Sequence, residues 1–119
     1  MTTPHPHWPW YVAEFVVAEN RAGAAPQYTI HSYLIWAHTV ENAYINAKNL
    51  ELAMNEKLRA EHRAATGQDD VAYHCLGIHN LNTLHADTLE NGIHLSVVTW
   101  PADTAPEVRE MHQLALYQG

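Results

Sequence analysis

Cysteine is nearly absent from this chain of 119 residues: Cys75 stands alone, so no internal disulfide is possible. Basic residues are scarce as well. Six Lys and Arg, scattered over Arg21, Lys48, Lys57, Arg59, Arg63 and Arg109, face thirteen Asp and Glu, for a formal charge of −7. A phosphate backbone needs a basic stripe, and none is present, which excludes direct nucleic-acid binding by charge. No apolar run approaches membrane-spanning length, and the N-terminus lacks the cationic start of a secretory leader. With a single cysteine this pattern predicts a cytoplasmic, non-membrane protein.

What is present is an ordinary share of apolar residues, 47%, with only 16% charged. A chain of this size closes one core, not two. Four Trp and six Tyr stand against one Phe. Trp and Tyr join a large apolar area to a polar tip, a combination suited to core edges and interfaces.

The Pro-rich opening, residues 1–7, reads as a flexible arm ahead of a single α+β domain over 8–119. Residues 8–19 are rich in β-branched and aromatic side chains and predict a first strand. An Asn, Gly and Pro turn at 20–26 leads into a second strand over 28–37. Thr39 then offers a helix cap with Glu41 in the first turn. Val40, Ala43, Tyr44, Ala47, Leu50, Met54 and Leu58 recur at spacings of three and four, one apolar helical stripe. The helix is expected to run to about Arg63 and to stop at Gly67. A helix of about 24 residues, roughly 36 Å, overhangs an ordinary sheet. Residues 71–78 predict a third strand. Asn91-Gly92 is a turn signal before a fourth strand over 93–100. Thr104, Pro106 and Glu107 open a short final helix with Val108, Met111 and Ala115 along its apolar edge. The predicted fold is therefore an antiparallel sheet of about four strands, order β-β-α-β-β-α, with the long helix packed on one face.

Strand parity separates two surfaces. Tyr11, Ala13, Phe15 and Val17 are expected under the helix, together with Tyr28, Ile30, Leu34 and Trp36 and with Ile93, Leu95 and Val97. The opposite surface takes Trp10, Val12, Glu14 and Val16, then Thr29, His31, Tyr33 and Ile35, then His94, Ser96, Val98 and Trp100. It is too apolar for a fully wet surface and too polar for a dry core. The terminal helix, a second copy of the chain, or a ligand or partner protein would cover it.

No spacing among the ten histidines matches a compact metal motif. His5 and His7 sit in the arm. His74, His79, His85 and His94 fall in the strand–loop–strand region, with His74 and its neighbour Cys75 on opposite faces of a regular strand. Cys75 reads as a small buried hydrophobe rather than a nucleophile. Asp69 and Asp70 read as a solvated turn, and Glu51, Glu56 and Glu61 as the outer face of the helix. No nucleophile elbow or phosphate loop occurs. No catalytic residue and no cofactor are assigned.

W-Y-V-A at 10–13, A-H-T-V-E-N-A at 37–43, G-I-H-N-L at 77–81 and Asn91-Gly92 follow one another in an order that resembles a small bacterial family of domains of unknown function. Its members share W-Y-x-A in the first strand, A-x-[ST]-x-E-x-A at a helix start, and G-I-x-x-L then N-G before the last strand. The resemblance covers roughly residues 8–100 and implies no activity.

Small size, acidity and aromatic content together point to a non-enzymatic protein-binding domain, of the acidic inhibitor or immunity type, with a basic protein partner. Trp10, Tyr33 and Trp100 are the candidate anchors. An alternative is a small-ligand- or metal-binding enzyme whose Glu14, His31 and His94 converge on a histidine-rich sheet face. A homodimeric accessory protein that consumes its aromatic face between copies is the third.

Overall fold

In the computed structural model, residues 10–20, 23–67, 73–83, 97–99 and 105–118 are described, the backbone alone at 97–99. The protein is α+β. Strands β1 (Trp10–Glu19) and β2 (Gln27–Trp36) form a hairpin, α1 (Val40–Thr66) follows, and β3 (Tyr73–Thr83) returns beside β1. All pairings are antiparallel. A three-residue strand, β4 (Val97–Thr99), lies against β2, so the order across the sheet is β3-β1-β2-β4.

The ends of α1 follow from local chemistry. Thr39, in extended geometry, accepts the N–H of Asn42 through its hydroxyl, and Glu41 stands in the positive first turn. At the other end Gly67 takes φ 75°, which a side chain would oppose, and its N–H closes on the carbonyl of Arg63. The apolar stripe faces the sheet: Ala43 and Ala47 are fully buried, and Tyr44, Leu50 and Met54 pack against the core.

β1 is an inner strand of the sheet, and Phe15, Val16, Val17 and Ala18 are all buried, so side chains on both of its faces are out of solvent. The register overturns one expectation. Tyr11, Ala13, Phe15 and Val17 stand opposite Ile35, Tyr33, His31 and Thr29. Cross-strand partners share a face, so the helix covers the Thr29, His31, Tyr33 and Ile35 side of β2. The Tyr28, Ile30, Leu34 and Trp36 side, chosen on apolarity, faces away with Trp10, Val12, Glu14 and Val16. The hairpin register outweighed the apolar count of a single strand, since a shift of one residue exchanges the faces.

β3 runs five residues past the expected end at Ile78. Its core residues are Cys75, Ile78 and Leu81, a spacing of three that alternation does not recognise. Two register shifts produce it. Phe15 meets Ile78 while Glu14 meets Asn80, and Val17 meets Cys75 while Val16 meets Gly77. His79 and Leu76 are the extra residues of two bulges, and each bulge turns the next core residue inward. Burying Ile78 and Leu81 in this way is worth roughly 1.5–3 kcal/mol each.

The expected terminal helix does not form. Residues 105–110 form neither helix nor strand and are followed by two 3₁₀ turns, Met111–Gln113 and Ala115–Tyr117. The edge of β3 competes for the backbone groups a helix would use. Arg109 donates its N–H to the carbonyl of Ile78 at 2.7 Å, and its guanidinium bonds the carbonyl of His79. The His79 ring in turn donates from Nδ1 to the carbonyl of Glu107. Gly77 has φ 151°, and a Cβ there would stand 2.4 Å from Val108 Cγ1. The tail thus wraps β3 and delivers Leu114, not Val108 or Ala115, into the core. Val108 is 43% exposed. A capping box forms between Glu110 and Gln113; the one expected at Thr104 falls outside the described residues.

Candidate functional site

Two asparagines fasten α1 to the sheet. Asn46 donates to the carbonyl of Trp36 at 2.9 Å, anchoring the proximal half. Asn55 donates from Nδ2 to the carbonyl of Cys75 at 3.0 Å and accepts the Cys75 N–H on Oδ1 at 2.8 Å. One side-chain amide thus satisfies both backbone groups of an edge-strand residue, as a further strand would.

Between these anchors and the end of the helix the packing opens. Ala43 and Ala47 let α1 lie close to the sheet, and Leu114 with Tyr117 closes that end. The Tyr117 hydroxyl donates to the carbonyl of Val40, and its ring meets Tyr44 edge-on with centroids 6.1 Å apart. Farther along, Met54 and Leu58 stand off the sheet and roof a cleft of about 380 Å³. Val17, Thr29, His31 and Tyr33 line its floor, and Glu19, Gln27 and Tyr73 line its hairpin end. A second depression, of about 200 Å³, adds Leu50, Ala53 and Lys57 while sharing Tyr33 and Met54. A third, of about 210 Å³, adds Glu61 and His62 while sharing Leu58 and Tyr73. Shared lining joins the three into one groove beneath the distal half of α1, from Tyr33 to Tyr73.

The groove is apolar with a few placed polar groups. His31 shares a 2.9 Å hydrogen bond with Thr29, and burial pushes its ring below the usual histidine pKa. It is therefore neutral at pH 7. The Tyr73 hydroxyl reaches Glu19 Oε2 at 3.2 Å. Tyr33 and Tyr73 are 37% and 47% exposed, leaving an aromatic margin at each end. The ring of Tyr33 also meets Phe15 edge-on at 5.9 Å, which ties that margin to the core.

The candidate residues read from sequence divide between two surfaces. His31 and Tyr33 lie in the groove. Trp10 and Glu14 face the other way, opposite Trp36 and Ser32. Glu14 and His31 therefore do not converge, because neighbouring ladder positions alternate faces. His94 and Trp100 lie outside the described residues, as do His85 and the Asn91-Gly92 turn. Among the described residues no three His, Cys, Asp or Glu side chains gather as a metal site. Cys75 is 1% exposed. Burial, with Glu51 adding to it, raises its thiol to about 12, so it is a poor nucleophile at neutral pH.

Met54 and Leu58 are visible in sequence only as part of an apolar stripe. Asn46 and Asn55 carry a weak signal: asparagine disfavours helix interiors and needs a reason to be there. Nothing in the sequence marks Tyr73 or Gln27 as groove residues. Comparison with protein-family models, curated proteins and solved structures finds no match to this chain. Among the described residues no helix is long and apolar enough to cross a membrane.

Proposed function

We propose that the protein is a non-enzymatic binding domain for another polypeptide, with the groove beneath distal α1 as its recognition site. The observation that carries this reading is the groove's form. It is open and elongated, continuous across three depressions, and edged by exposed tyrosines. Enclosed cavities suit small molecules, whereas interfaces favour Tyr anchors beside apolar clefts. The formal charge of −7 favours a basic partner, in keeping with an acidic inhibitor or immunity-type role in the cytoplasm.

Two finer points of the fold belong to the same proposal. The fourth strand is the one expected over 93–100, of which Val97–Thr99 is described and pairs with β2, while the remainder lies outside the described residues. The bacterial family of unknown function named above is the chain's kin in this proposal, its first three motifs falling on β1, the start of α1 and β3, with Asn91-Gly92 outside the described residues.

The test is native mass spectrometry of untagged protein gently purified from its source cells, beside a Leu58→Arg variant that blocks the groove. A second, basic chain is expected on the native protein and is expected to be lost from the variant. A partner retained by a folded Leu58→Arg protein would place recognition elsewhere. A bare chain or a homodimer from source cells would remove the hetero-partner reading.

A further inference from the structure

We infer, on the reading of the groove as the recognition site, that its occupant is an extended, mainly apolar segment of a partner polypeptide that carries a basic residue at the Tyr73 end. The dimensions come from the sheet register. Tyr33 stands level with Ala13 of β1, and Tyr73 stands level with Glu19 at the far end of that strand. The two levels are about 20 Å apart at the rise of a strand, and crossing from β2 to β3 adds about 10 Å sideways. The diagonal, about 22 Å, matches an extended segment of six or seven residues. It also matches the roof from Leu50 to His62, about 18 Å of helix.

The charge distribution sets the polarity of that segment. Among the described residues, the Tyr73 end carries the carboxylates of Glu19 and Glu61, and no Lys or Arg lines the central or the Tyr73-side depression. Lys57 lines only the Tyr33 end, 4.0 Å from Glu61 across one turn of helix. Glu19 already accepts from the Tyr73 hydroxyl, which holds one carboxylate oxygen at the groove mouth. An incoming guanidinium or ammonium would meet two carboxylates there, with the apolar stem of its side chain against Leu58 and Tyr73. An acidic residue at that end would be repelled. His31 on the floor is uncharged at pH 7 and adds no competing cation.

The experiment uses capped seven-residue peptides that alternate valine and serine and end in arginine, glutamine or glutamate, made in both chain directions. Binding is read from the ring-proton shifts of Tyr33, Tyr73 and His31 in the full chain by NMR titration. The arginine peptide is expected to bind about fivefold tighter than the glutamine peptide at low salt. Both are expected to bind tighter than the glutamate peptide. Glu19→Gln keeps the acceptor for Tyr73, and Glu61→Gln keeps the helix surface, so a folded double variant isolates the charge. It should bring the arginine advantage to about twofold or less. Equal binding of all three peptides, abolished by Leu58→Arg, would overturn the basic-end inference and leave the groove reading standing. No ring shift with any peptide at millimolar concentration would remove both. Agmatine alone binding as tightly as the arginine peptide would replace the polypeptide segment with a small organic cation.

Discussion

The two halves of α1 belong to one uninterrupted helix and meet the same sheet in opposite ways. In the proximal half, Ala43 and Ala47 are fully buried, and Leu114 and Tyr117 of the C-terminal tail close the remaining space. In the distal half, Met54 and Leu58 are only half-buried above a groove, and residues 59–66 are exposed apart from half-buried His62. Helix propensity does not account for this, since the distal half is the richer in Ala and Arg. Side-chain volume and the route of the tail do differ. Small residues bring a helix axis close to a sheet, and larger ones hold it off. Packing is tight where the tail seals the helix and open where it does not, and the groove proposed as the recognition site lies in the less tightly packed part of the domain.

The sharpest way to break this contrast is to truncate one large side chain at each end. Leu81→Ala opens a cavity in the sealed core and is expected to cost about 2–5 kcal/mol. Leu58→Ala removes a groove wall already in contact with solvent and is expected to stay within about 1 kcal/mol, while weakening peptide binding. Urea denaturation of both variants checks the pair. Equal losses would mean that the distal half is as tightly built as the proximal one.

The Asn55 anchor marks the boundary between the halves. Asn55→Ala leaves the N–H and carbonyl of Cys75 without their side-chain partner. The expected cost is about 1–3 kcal/mol. Amide exchange of Cys75 should quicken more than that of Ala47, which tells loosening of the β3 edge apart from global destabilisation. Uniform acceleration would contradict a local anchor.

Alkaline titration gives the most selective effect. Burial raises the Tyr117 hydroxyl to about 12, from 10.0 for a free tyrosine, and the Cys75 thiol to about 12, from 9.0. Both groups are neutral when protonated, so folding holds their protons more tightly than the unfolded chain does. Their stabilising contribution is complete below the unfolded values and is lost as pH rises from about 9 toward 12. Denaturation midpoints should fall across that window, and Tyr117→Phe should flatten the fall above pH 10. A midpoint in the variant with the same slope as the native chain would assign the alkaline transition to other groups.

Legibility followed the range of the forces involved. The helix start at Thr39, its stop at Gly67 and its apolar stripe depend on groups a few residues apart, and all three can be read along the chain. The strand hairpin is legible for the same reason, apart from which face of β2 meets the helix. That choice needed the register. The third strand and the tail were less legible, since bulges at Leu76 and His79 and the bond from Arg109 to Ile78 join residues far apart in sequence. Within the candidate site, His31 and Tyr33 could be named in advance, but the grouping of His31 with Glu14 could not survive a ladder in which neighbouring positions face opposite ways.

The amino-acid order alone determined that this is an acidic, disulfide-free α+β chain with a long capped helix and an aromatic-rich hairpin. Composition, caps and periodicity act through local geometry and bulk charge. Tertiary structure alone decided which side of β2 lies under that helix, that residues 105–118 wrap β3 instead of forming an α-helix, and that a groove opens beneath Met54 and Leu58. Each of these rests on competition between distant segments for the same backbone partners and the same buried volume, and only the folded chain resolves that competition.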